Sequence, residues 1–196
     1  MPDLAARWPL PGHGTVRDAL LAAYADPARG YHDTTHLTEV LDRLDELSAA
    51  GVGFDATVAA LAAWFHDAVY DGERDAEERS AVWAEEALAG TPYADEVARL
   101  VRLTETHDPA ADDQAGRALC DADLAILASG AERYDDYIAG VRRDYAHISD
   151  ADFKSGRVAV LHDLAGREQL FHTAYGREQW EPAARANLAR ELAGLE

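Results

Sequence analysis

The sequence predicts an all-α fold, a single-domain bundle of about eight or nine helices, and three observations carry that prediction. About a fifth of the 196 residues are alanine, the strongest helix former. Asparagine occurs once, at Asn187, and runs of β-branched residues are absent, so little favours strand. Apolar residues recur at steps of three and four, the period of a helix face. The length suits one domain, and no repeat, linker or low-complexity tract divides it, so the domain is expected over 1–196.

Thr15 opens a first helix to about Asp26, with Leu20, Leu21 and Tyr24 on one side and Pro27 as the stop. Asp33 or Thr34 opens a second, in which Leu37, Val40, Leu41, Leu44 and Leu47 recur until Gly51. His36 falls in its first turns. Asp55 caps a third helix to about Tyr70, and Val58, Leu61, Ala62, Trp64 and Phe65 make it apolar on most sides, as befits a buried central helix. Further helices are expected over 75–89, ended by Gly90, over 94–106, ended before Pro109, and over 112–128, 131–147, 150–173 and 180–193. Ser149 and Asp152 resemble a capping box for the eighth. Trp64, Trp83 and Trp180 read as core rather than as base-stacking residues.

A net charge of −19 disfavours a nucleic-acid polymer or an anionic membrane as partner. The single Cys120 excludes an internal disulfide framework and a cysteine-based zinc cluster, in keeping with a reducing, cytoplasmic setting. Residues 1–14 contain Pro2, Asp3, Pro9 and Pro11 without an apolar core, so neither a signal peptide nor a membrane span is expected.

Chemistry is sought where a polar side chain sits among apolar ones, because a buried polar group needs a partner. His66 and Asp67 follow the most apolar helix, in Ala-Ala-Trp-Phe-His-Asp-Ala-Val-Tyr. Asp121 and Asp123 lie between Leu119, Cys120 and Leu124, Ile126, Leu127, so at least one faces the interior or a cleft, where a cation would satisfy it. The His-Asp dipeptide recurs at 32–33, 107–108 and 162–163. His162-Asp163 lies in a helix with Arg157 and Arg167 and reads as a solvated face or local ion pair. His107-Asp108 precedes Pro109, where the imidazole either satisfies last-turn carbonyls or serves a site.

The order Tyr31-His32-x-x-x-His36, His66-Asp67, Asp121-Ala122-Asp123-Leu124 resembles the signature of the HD-domain superfamily of metal-dependent phosphohydrolases, and a helical bundle of the HD-domain type agrees with the helices expected above. More narrowly, the chain is similar to a subgroup of short bacterial proteins described as predicted metal-dependent HD phosphohydrolases. Tyr70, Asp75, Glu77-Glu78-x-Ser80-Ala81 and Arg157 with Arg167 extend the likeness over nearly the full chain, while Ala76 departs from it. The resemblance implies that His36, His66, Asp67 and Asp123 hold one divalent transition metal, with His66 and Asp67 at the catalytic centre. Asp123, next to Leu124, is preferred over Asp121 on that pattern. Two imidazoles and two carboxylates suit Mn, Fe, Co, Ni or Zn better than an all-oxygen cage suits Mg or Ca. The implied reaction is hydrolysis of a phosphomonoester or pyrophosphate bond in a nucleotide or other small phosphorylated metabolite, by a metal-activated water.

His32 and His107 are expected to face the substrate. Asp71, Glu77 and Glu78 are alternatives for proton transfer, the last two reading first as an exposed, acidic first helical turn. All basic residues but Lys154 are arginines, which suit bidentate phosphate contacts. Arg29, Arg74, Lys154, Arg157 and Arg167 are the candidates. Three other readings stay open: a nucleotide- or metal-binding sensor without turnover, a di-iron oxygenase, for which His107 is the one extra histidine between the His-Asp pair and Asp123, and a purely structural helical protein in which His66-Asp67 is a hydrogen-bonded core dyad. The oligomeric state is left open.

Overall fold

Asp33, Asp55, Asp113, Ser149 and Thr173 each begin a helix by accepting from backbone N–H groups two or three residues on, the donors a helix start leaves unpaired. The computed structural model describes residues 3–195. Met1, Pro2 and Glu196, the ends of the domain expected over 1–196, lie outside the described residues. Among those described there are ten α-helices and no strand: α1 Gly14–Tyr24, α2 Thr34–Ala49, α3 Ala56–Phe65, α4 Ala76–Ala87, α5 Ala94–Leu103, α6 Gln114–Leu124, α7 Ala131–Asp144, α8 Asp150–Gly166, α9 Ala174–Gln179 and α10 Glu181–Leu195. Short 3-10 turns occupy Leu4–Arg7 and Ala125–Ala128. Among the described residues no helix is long and apolar enough to cross a membrane.

The all-α prediction therefore holds, and α3 is the central helix. It packs against α2, α4, α5 and α6, and Leu61, Ala62, Trp64 and Phe65 are fully buried. Trp8 meets the Trp64 ring edge-on at 5.3 Å, a favoured aromatic geometry. Trp64 and Trp180 are core and Trp83 packs against it, as expected.

Two boundaries differ most from the sequence reading. The third helix was expected to reach Tyr70 but ends at Phe65, because His66 turns its Nδ1 onto the Ala63 carbonyl at 2.8 Å and the Asp67 N–H goes to the Tyr24 hydroxyl. The stretch 150–173 was expected to be one helix but stops at Gly166. Two carboxylates, Glu181 and Asp121, accept from the consecutive backbone N–H groups of Leu170, Phe171, His172 and Thr173, which leaves none of these four donors for a helical ladder.

The loop between α1 and α2 crosses α7 at two glycines. A Cβ on Gly30 would stand 2.1 Å from the Gly140 carbonyl oxygen, and one on Gly140 would stand 2.9 Å from the Tyr31 Cβ. Only the absence of side chains lets the backbones approach this closely.

Candidate metal centre

Four donor atoms from three segments meet in the interior. Asp33 caps α2 through the N–H groups of Thr35 and His36, which fixes His36 in the first turn with its ring buried. His66 and Asp67 leave the end of α3 in a clamped turn. The Arg29 guanidinium donates to the carbonyls of His32, Asp67 and Ala68 at 2.7–2.9 Å, and Ser80 Oγ accepts from the Val69 N–H. Asp123 comes from the last turn of α6.

His36 Nε2 stands 3.1 Å from His66 Nε2, 3.2 Å from an Asp67 oxygen and 3.2 Å from an Asp123 oxygen. His66 Nε2 lies 3.0 Å from Asp67 and 3.5 Å from Asp123. Metal–ligand bonds of about 2.0–2.2 Å at tetrahedral or octahedral angles separate neighbouring donors by roughly 3.0–3.6 Å, so the spacing fits one ion. The set His36, His66 and Asp67 meets metal-ligand criteria as a group, with Asp123 beside it.

The donor chemistry supports the fit. The Ala63 carbonyl can only accept, so His66 Nδ1 carries a proton, which leaves the Nε2 lone pair to take either a metal or a second proton. That lone pair and the two carboxylate oxygens face one another, an arrangement that demands a cation or a proton between them. Burial opposes charge on every member. For the carboxyls of Asp67 and Asp123 that penalty is outweighed, first by the charge of His66, and both are held well below the usual carboxylate range. Burial likewise opposes protonation of His66, but Asp67 above all drives it well up.

His107 sits at the edge of this cluster, its Nε2 2.8 Å from the second Asp123 oxygen. Its φ of 52° is left-handed, an uncommon conformation for a side chain of this size. The His107 ring reaches the cluster, and it is the backbone N–H rather than the imidazole that closes α5 on the Leu103 carbonyl, which corrects the carbonyl-capping reading of the ring. Asp121, the alternative ligand, points elsewhere. It is fully buried and accepts from the N–H groups of His172 and Thr173 at 2.6 and 2.8 Å. Burial raises its pKa against those hydrogen bonds.

His32 lines the adjoining cleft with its ring stacked on Tyr70 at 3.9 Å. Its Nδ1 is 2.8 Å from Asp144, which also accepts from the N–H groups of Gly30 and Tyr31. Asp144, far away in sequence, was not foreseen. Burial pushes its carboxyl up, but the hydrogen bonds from His32 and Gly30 outweigh this and hold it below the usual range. A carboxyl lowered by folding adds stability above its unfolded pKa of about 3.9, and that stability is lost as pH falls through the lower folded value. The stability gap between wild type and Asp144→Ala, measured by urea unfolding, is expected to shrink as pH drops from about 5 through that lower folded value.

The arginines expected at phosphate are mostly engaged elsewhere. Arg29 braces the His66-Asp67 turn through backbone carbonyls, which corrects its expected substrate role. Arg74 and Lys154 are exposed and are absent from the lining of the cleft beside the cluster. Arg157 does line that cleft but is bound by Glu191 at 2.7 and 3.0 Å. Arg167 pairs with Asp163, the local ion pair foreseen for that helix. Asp71 pairs with Arg79 on the surface and Glu78 with Arg102, away from the four donors.

Comparison with family models, with curated proteins and with solved structures found no match.

Proposed function

We propose that the protein is a metal-dependent phosphohydrolase acting on a small phosphorylated substrate. The observation that carries this reading is the convergence of His36, His66, Asp67 and Asp123 at the side of a cleft of about 400 Å³ that Asp123 itself helps to line.

A divalent transition ion held by these four residues would supply a nucleophilic water near neutral pH and a Lewis acid for a phosphoryl oxygen. The chain's own residues do the rest. His107 fixes the orientation of Asp123 through its second oxygen. Arg29 holds the turn that carries His66 and Asp67. His32, oriented by Asp144, lies in the cleft wall, where an imidazole can give a proton to the departing alkoxide.

The test is elemental analysis of purified wild type and of Asp123→Ala, both shown to be folded, followed by a phosphoester screen with Asp67→Ala as control. One transition-metal equivalent in wild type, its loss in the variant, and phosphate release above the control are expected. No metal after reconstitution, or no release above the control, overturns the reading.

A further inference from the structure

If the four donors form the hydrolase centre proposed above, the cleft beside them holds the rest of the substrate. His32, His107 and Asp123 give it a polar end at the four donors, while its walls, in which Asp152 and Arg157 are the charged residues, are otherwise mainly apolar. Tyr70, Tyr145, Phe153, Ile126, Val160 and Leu164 line them. Three large apolar side chains stand exposed among the described residues, Val82, Tyr145 and Val160, and the last two belong to this one cleft. Exposed apolar side chains gathered at one concavity mark a surface that a ligand covers.

Charge narrows the choice. Arg157 is the one arginine or lysine among the residues that line the cleft. Its guanidinium donates twice to Glu191 and lies over the Tyr137 ring at 5.0 Å. The one arginine of the lining is thus committed to a buried carboxylate, and little positive charge remains for a second or third phosphate in a chain of net charge −19. A sugar phosphate fares no better, because most of its hydroxyls would leave water for walls that are mainly apolar.

We propose that the substrate is a phosphomonoester of an apolar alcohol, its phosphate at the four donors and its hydrocarbon or aromatic body against Tyr70, Tyr145, Phe153 and Val160. Water oxygen forms the new bond to phosphorus as the water gives up one proton, the bond from phosphorus to the alcohol oxygen breaks, and that oxygen takes up one proton, so that one water is consumed. The products are the alcohol and inorganic phosphate.

The experiment compares hexyl phosphate with ribose 5-phosphate and pyrophosphate, using the full chain loaded with manganese(II). The two esters share a primary alkyl leaving group, so their intrinsic reactivities are close. A kcat/KM about 100-fold higher for hexyl phosphate is expected, the scale on which apolar pockets discriminate. Val160→Asn and Tyr145→Ala, both at exposed positions, should lower kcat/KM for hexyl phosphate about 10-fold, the scale of one lost apolar contact, mainly through KM. Calorimetric titration with hexylphosphonate, which cannot be hydrolysed, gives a readout separate from turnover and should show tighter binding than ribose 5-phosphate. Equal or reversed preference in rate or binding overturns the substrate class. Failure of every ester to turn over would count against the hydrolase reading, and the titration would still decide what the cleft takes.

Discussion

Arg157→Ala should destabilise the protein by about 3–5 kcal/mol, the cost of leaving one member of a buried ion pair without its partner. Arg157 and Glu191 are 8 % and 7 % exposed, and two charge-assisted hydrogen bonds of 2.7 and 3.0 Å join them. The Tyr134 hydroxyl donates to the same carboxylate at 2.7 Å. Truncating the arginine strands a carboxylate in the interior with that one donor. The pair need not be worth this much in itself, since desolvating both ions offsets most of their attraction. Arg157→Met combined with Glu191→Leu should therefore recover most of the loss, leaving a deficit of about 1–3 kcal/mol from the orphaned Tyr134 hydroxyl. Urea denaturation of wild type, the single and the double variant reads all three. A cost below about 1 kcal/mol for Arg157→Ala, as for an exposed pair, would mean that the guanidinium is not committed to Glu191 and is free to meet a ligand in the cleft.

The helices and most of the core could be read in the sequence because both follow from local rules. Leu37, Val40, Leu41, Leu44 and Leu47 on α2 repeat at helical steps, and all are buried. Asp55 caps α3 as its position before an apolar run implies. The misplaced ends have non-local causes. Nothing near Tyr70 in the sequence announces that Arg29 and Tyr24, about forty positions earlier, will take the backbone groups of the turn at 67–68. Nothing near Thr173 shows that Asp121 will take two N–H groups of the segment after α8.

The candidate site divides in the same way. His66 and Asp67 stand out as polar residues closing an apolar run, and burial confirms the contrast for His66. Choosing between Asp121 and Asp123 was beyond periodicity, since both fall on a largely buried helix, one as a strut and one facing the histidines. Asp144 gave no signal, because it meets His32 only through the crossing of α7 over the loop at Gly30. The roles of the arginines could not be sorted from the sequence, for a physical reason. A guanidinium offers five donors, and in this chain Arg29 spends them on backbone carbonyls, a use that charge alone cannot distinguish from anion binding.

On the hydrolase reading, Asp67→Ala should lower kcat/KM by about 10³-fold or more, about 4 kcal/mol at the transition state, whereas His107→Ala should lower it only about 10–100-fold. The difference follows from position. Asp67 places an oxygen 3.0–3.2 Å from both imidazole nitrogens, so its loss removes a ligand and part of the negative charge that draws a cation in. His107 touches only the outer oxygen of Asp123 and acts by holding that carboxylate. Stability gives a second reading that needs no substrate. A metal at about 100 times its Kd stabilises the folded state by about 2.7 kcal/mol, which for a domain of this size is about 5–10 °C in Tm. Adding a chelator to metal-loaded wild type should remove that increment, should remove less of it in His107→Ala, and should change nothing in Asp67→Ala. Should wild type melt at the same temperature with and without chelator, the four donors would be satisfied by protons alone, and the buried histidines and carboxylates would be a hydrogen-bonded core cluster.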